Sequence, residues 1–107
     1  SVDLARIGIN LANYGVDIEN GEHLMSEMVS RIVKTFMMTC GMYDASGEFA
    51  IKVGIPAKSG VGGGIMASVP GRMGIGVYGP ALDKKGNSVA GVKVLEELSN
   101  KLKLNIF

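Results

Sequence analysis

Apolar residues recur at helical spacing at both ends of the chain and at alternate positions in the middle, and this change of period sets out the architecture. Leu4, Ile7, Gly8 and Leu11 repeat every three or four positions, predicting a first helix over Leu4–Asn13 with Asp3 as its N-cap. Asn13-Tyr14-Gly15 reads as its stop, Gly15 being suited to a left-handed cap. Val16 to Gly21 is a polar, acidic connector ending in the turn signal Asn20-Gly21. A second helix is expected from about Glu22 to Met38. Its apolar stripe is Leu24, Met25, Met28, Ile32, Val33, Phe36 and Met37, against Glu27, Ser30, Arg31 and Lys34. A Met-rich stripe of this kind reads as core filling.

Gly41 can end that helix, and Asp44 to Gly47 has hairpin-turn or loop chemistry. From Glu48 to Val53 the period becomes two: Phe49, Ile51 and Val53 to one side, Glu48, Ala50 and Lys52 to the other, the pattern of a half-buried strand. Two more strands follow, Gly63 to Val69 and Arg72 to Tyr78, and the Pro70-Gly71 between them predicts an antiparallel hairpin. Gly74 and Gly76 leave one face of the last strand bare, which lets a helix lie close against it. Val89, Val92, Leu95, Leu98 and Leu102 then define a final helix from Asn87 or Ser88 to Lys103. The expected fold is α+β: helices within 1–40, a three-stranded antiparallel sheet within 48–78, and a helix over 87–103, all one segment. Three short, glycine-rich strands make a thin sheet with open edges, so helices or further strands have to cover them.

Composition narrows the class. The 107 residues suit one domain, and 47% hydrophobic with 20% charged residues describes an ordered globular chain. A net charge of +1 with interspersed signs argues against nucleic-acid or membrane-surface binding, and no window has the apolar length to span a bilayer. The lone Cys40 excludes an intramolecular disulfide, and its neighbours Met37, Met38 and Met42 suggest a buried, inert thiol. His23, the only histidine, has no partner at metal-ligand spacing and reads as a surface residue. With no initiator Met and apolar periodicity under way by Leu4, the sequence reads as one entered partway through, although Met removal gives the same start.

The densest candidate chemistry is Pro56-Ala57-Lys58-Ser59-Gly60-Val61-Gly62-Gly63-Gly64. Glycines in strand-like sequence mark a bulge or a close approach, and here the approach falls beside the run's only cation and hydroxyl. The plain alternative is a glycine-rich turn with a solvated lysine. Lysine, hydroxyl, glycine on a strand is the third motif of serine β-lactamases and penicillin-binding proteins. A longer match is more specific. Leu11-Ala12-Asn13, Cys40-Gly41-Met42-Tyr43-Asp44, Ser46-Gly47, Pro56 to Val61, Gly63-Gly64-Ile65, Val69-Pro70, Leu82-Asp83 and Gly86-Asn87-Ser88 resemble the bacterial serine-dependent glutaminases.

The resemblance covers essentially the whole chain. It implies the C-terminal part of a β-lactamase/transpeptidase-like fold and hydrolysis of L-glutamine to L-glutamate and ammonia through a glutamyl-enzyme, without metal or organic cofactor. By the same resemblance Tyr43 binds substrate and relays protons, and the Val61 N–H helps form the oxyanion hole. Lys58 is a candidate cation to lower the tyrosine's pKa, and Ser59 a further substrate contact. The departure is the nucleophile. No serine of this chain is followed three places on by lysine, so Ser-x-x-Lys and most glutamine-binding side chains are expected upstream. On this reading the chain alone is inactive and needs the missing N-terminal part. With no signal-peptide pattern at its start the expected location is cytoplasmic, and the resemblance implies assembly as a dimer or tetramer. The rival is a non-catalytic fragment or interaction module that associates through an open sheet edge; a β-lactamase-like hydrolase of other specificity is a third reading.

Overall fold

The computed structural model describes residues 1–107. In order the elements are α1 (Val2–Ala12), α2 (Glu27–Cys40), a 3₁₀ turn (Tyr43–Ala45), α3 (Ser46–Lys52), β1 (Ala57–Ser59), β2 (Gly64–Val69), β3 (Met73–Tyr78) and α4 (Val89–Leu102). The three strands form one antiparallel sheet in the order β1-β2-β3. The α+β expectation holds, with one helix more than the pattern suggested.

The Pro70-Gly71 hairpin forms as expected: Arg72 N–H donates to the Val69 carbonyl at 2.9 Å, and Gly71 takes the left-handed φ of 71° that a type II turn requires after proline. Register then divides the side chains. Ala57, Ala67 and Ile75 share one face with Ser59, Ile65 and Val77, and on it they meet Phe49 of α3, Val53 just after it and Leu95 of α4 in a single core. The other face belongs to Gly74 and Gly76, and α1 lies directly on their backbones. A Cβ on Gly76 would fall 2.8 Å from the Ala5 nitrogen and 2.9 Å from the Leu4 Cβ. The bare face read from the sequence is thus the seat of a helix.

One edge of the sheet stays open. Ser59 N–H turns away from β2 and donates to the Gly41 carbonyl at 2.9 Å, which ties the outer side of β1 to the end of α2. β3 has no neighbour beyond it. Antiparallel ladder bonds alternate along a strand, so the amides and carbonyls of Gly74, Gly76 and Tyr78 face outward, unpaired.

Five expectations are corrected. Residues 48–52, expected as the first strand, are helical, and the first strand is Ala57–Ser59. Phe49 and Val53 satisfy period two, but they also sit one helical turn apart, and both are buried while Ile51 between them is 82% exposed. Glu48 and Lys52 add a 2.8 Å ion pair at the helical i, i+4 spacing. Asp44 to Gly47 is the 3₁₀ turn and the start of α3, not a loop.

The second helix begins at Glu27, not near Glu22, because Ser26 caps it by accepting from Val29 N–H at 3.1 Å. Most of its apolar stripe is also turned outward, Met37 alone being buried as expected. Ser30, Lys34 and Met37 face inward, whereas Leu24, Met28, Ile32 and Phe36 are exposed, Phe36 by 63%. The inward side works because Ser30 Oγ donates to the Leu11 carbonyl at 2.9 Å and Lys34 Nζ lies 4.5 Å over the Tyr14 ring. Cys40, expected to be buried, continues the exposed stripe one turn beyond Phe36 and is itself exposed.

Candidate functional site

The end of α2 and the end of β1 meet because Gly41 has no side chain: a Cβ there would collide with the Ala57 and Met37 carbonyls. The Ser59–Gly41 bond then lays β1 beside the turn that carries Tyr43. Tyr43 adopts a φ of 54°, a left-handed conformation costing a non-glycine residue about 1–2 kcal/mol. Such strain persists only where neighbours over-determine it. Here Met42 N–H donates to Ser46 Oγ at 3.0 Å, Ser46 Oγ donates to the Tyr43 carbonyl at 2.7 Å, and Asn87 Nδ2 donates to the Met42 carbonyl at 2.9 Å.

The outcome is a tyrosine ring half out of the protein, with the Lys58 ammonium 4.8 Å from its centroid. The ammonium thus sets a positive charge against the face of the ring. Lys58 Nζ also donates to the Ser59 carbonyl. Val61 stands at the tip of the β1–β2 turn, which Gly60 and Gly64 close with a 3.0 Å bond; its side chain is 77% exposed and its N–H has no acceptor. The glycines flanking Val61 thus leave a free amide at the mouth of the strand. Ser59 leaves β1 on the opposite face from Lys58, and its buried hydroxyl has no partner.

The structure therefore brings Tyr43 and Lys58 together, carries Val61 on the turn that follows them, and turns Ser59 inward. Two cavities of about 350 Å³ lie elsewhere, one behind Met42 between α3 and α4, the other between α1 and residues 17–25. Neither is lined by any of the four residues. The Tyr43–Lys58 surface is a wall rather than an enclosed pocket. No three His, Cys, Asp or Glu side chains converge to hold a metal. Sequence reasoning passed over Asn87 and Ser46, although Gly86-Asn87-Ser88 and Ser46-Gly47 were both among the motifs that carried the resemblance.

A helix-flanked antiparallel sheet thus sets a lysine-hydroxyl-glycine strand against a strained tyrosine turn. The glutaminase family model matches residues 1–107, and the chain belongs to that family. Glutaminases of Clostridium botulinum (strain Loch Maree) and Clostridium tetani are each 67% identical over 105 residues, covering 98% of this chain and 34% of their own length. A Bacillus glutaminase crystallised in 4.3 M NaCl superposes with a TM-score of 0.97 at 46% identity, covering 100% of this chain and 38% of that one. The Bacillus subtilis glutaminase solved as a covalent complex with 5-oxo-L-norleucine, formed from 6-diazo-5-oxo-L-norleucine, gives the same score and identity over 99% and 39%. The chain spans about one third of the length of these curated relatives. No helix is long and apolar enough to cross a membrane.

Proposed function

We propose that the chain is the C-terminal part of a glutaminase and supplies one wall of a site that hydrolyses L-glutamine to L-glutamate and ammonia. The observation that carries this reading is the Lys58 ammonium over the Tyr43 ring, beside a turn whose Val61 N–H is free. A serine outside the chain attacks the side-chain amide, Tyr43 relays its proton to the leaving ammonia, the Val61 N–H donates to the developing oxyanion, and water then cleaves the glutamyl-enzyme. Lys58 sets a positive charge over the Tyr43 ring, while the Ser59 hydroxyl, buried on the opposite face of β1, lies away from this wall. The reaction needs no cofactor. The protein is cytoplasmic, where a reducing environment suits the exposed Cys40 thiol.

The remaining two thirds of the protein covers two surfaces left bare here, the apolar side of α2 and the outer edge of β3. Ammonia release by the full-length protein and by this chain alone tests the reading. Full-length protein turns over glutamine, Tyr43→Phe lowers its kcat about 100-fold or more, and the chain alone releases nothing. Tyr43-dependent ammonia release by the isolated chain would overturn it.

The exposed Met28, Ile32 and Phe36 favour a second reading, self-association into dimers or tetramers, or a fragment that only packs against a partner. That reading predicts concentration-dependent association which Tyr43→Phe leaves untouched.

A further inference from the structure

We propose that Asn87 is a positioning residue for Tyr43. From the loop ahead of α4 its carboxamide fixes the Met42–Tyr43 peptide plane and so sets the direction of the tyrosine hydroxyl. The proposal rests on the role given to Tyr43 above. Two rotations define a residue's backbone, and both are pinned at this tyrosine. Rotation about its N–Cα bond is fixed by the peptide plane before it, whose carbonyl accepts from Asn87 Nδ2 at 2.9 Å. Rotation about its Cα–C bond is fixed by its own carbonyl, which accepts from Ser46 Oγ at 2.7 Å. Without these bonds nothing local favours a φ of 54° for a tyrosine.

The loop is built to hold the clamp. Asp83 Oδ1 accepts from the amides of Lys85 at 2.9 Å and Asn87 at 3.1 Å, while the Asn87 carbonyl accepts from Asp83 N–H at 2.8 Å. Gly86 takes a φ of 92°, and a Cβ there would stand 3.6 Å from Cδ2 and Cε2 of the Tyr43 ring. The residue before the clamp therefore walls one side of the ring, and Lys58 lies over its face. Asn87 is 1% exposed, and the N-cap of α4 is the neighbouring Ser88, so starting that helix does not account for the buried carboxamide. Only a donor serves at this position; an aspartate would set a second acceptor against the Met42 carbonyl.

The test is a double-mutant cycle on the full-length protein with glutamine as substrate: Asn87→Asp, Tyr43→Phe and the pair. A tyrosine swung out of line costs rate more than affinity, so Asn87→Asp is expected to lower kcat about 10- to 100-fold with a smaller change in KM. In the Tyr43→Phe background the same substitution is expected to change kcat by less than about twofold, because the group it positions is gone. Equal losses in both backgrounds mean a general structural effect and overturn the proposal. An unchanged kcat for Tyr43→Phe removes the tyrosine's role and the proposal with it, whereas a large loss for Tyr43→Phe and none for Asn87→Asp overturns the proposal alone. Should Asn87→Asp fail to fold, Ser46→Ala releases the other rotation and is held to the same non-additive pattern.

Discussion

Replacing Gly74 by alanine tests the central packing feature of the fold, the seating of α1 on β3. The conformation of Gly74 is no obstacle, since only Gly15, Gly21, Gly54, Gly63, Gly71 and Gly86 have positive φ among the glycines. At a compatible site the change to alanine stabilises by about 0.4–1 kcal/mol, through the reduced freedom of the unfolded chain. Against that stands steric overlap. The added Cβ would lie 2.5 Å from the Gly8 carbonyl carbon and closer still to the Ile9 nitrogen and the Ala5 carbonyl oxygen. All three are backbone atoms of α1, so no side chain can rotate away and the helix itself has to lift. Overpacking costs about 1–3 kcal/mol even where neighbours can adjust, and a backbone contact belongs at the upper end. The expected net effect is a loss of about 2 kcal/mol. Gly47→Ala is the control: it lies in α3 with nothing within 4 Å of its Cβ, and it gains about 0.5–1 kcal/mol from helix propensity. Urea unfolding followed by far-ultraviolet circular dichroism compares the two variants with the parent. A neutral or stabilising Gly74→Ala, alongside a stabilising Gly47→Ala, would refute the close approach of α1.

Lys103 ends α4 in the left-handed region at φ 54° and is exposed, so Lys103→Gly is expected to raise the urea midpoint, by about 0.5–1 kcal/mol of stability; a lower midpoint would show that the lysine side chain contributes more than the strain costs. Burial holds the Lys34 ammonium below the ordinary lysine range, against the opposing pull of Glu27. The unfolded chain therefore binds that proton more tightly, and stability is expected to rise as pH increases from the lowered pKa of Lys34 toward about 10.4, where a free lysine titrates. Lys34→Met should flatten this dependence without loss of stability at neutral pH. An unaltered slope would mean that the buried ammonium is not its source.

Much of the fold was legible because it depends on neighbours within a turn or two. Pro70-Gly71 made the hairpin, Ser88 the start of α4, and Gly74 and Gly76 the seat of a helix. Of the candidate site, Tyr43 and Val61 came from the family resemblance and Lys58 from the glycine-rich run, and the structure sets that cation over the ring and leaves the Val61 amide free. Residues 48–53 misled because Phe49 and Val53 fit both periods, and six residues are too few to separate them. A distant contact decided for the helix, since the core that receives Phe49 and Val53 includes Leu95 and Leu104 from the far end of the chain. The orientation of α2 misled for a related reason. Periodicity marks an apolar side but does not say whether this segment or another part of the protein covers it. The strain at Tyr43 was invisible for the same cause, since its clamp joins Met42 to Asn87, 45 positions away. The sequence by itself determined that α1, α2 and α4 coil, that β2 and β3 extend and that Pro70-Gly71 turns between them, because those preferences are local. Only the tertiary structure decided which faces look inward and how Tyr43 is held, because both depend on atoms that the chain's order keeps apart.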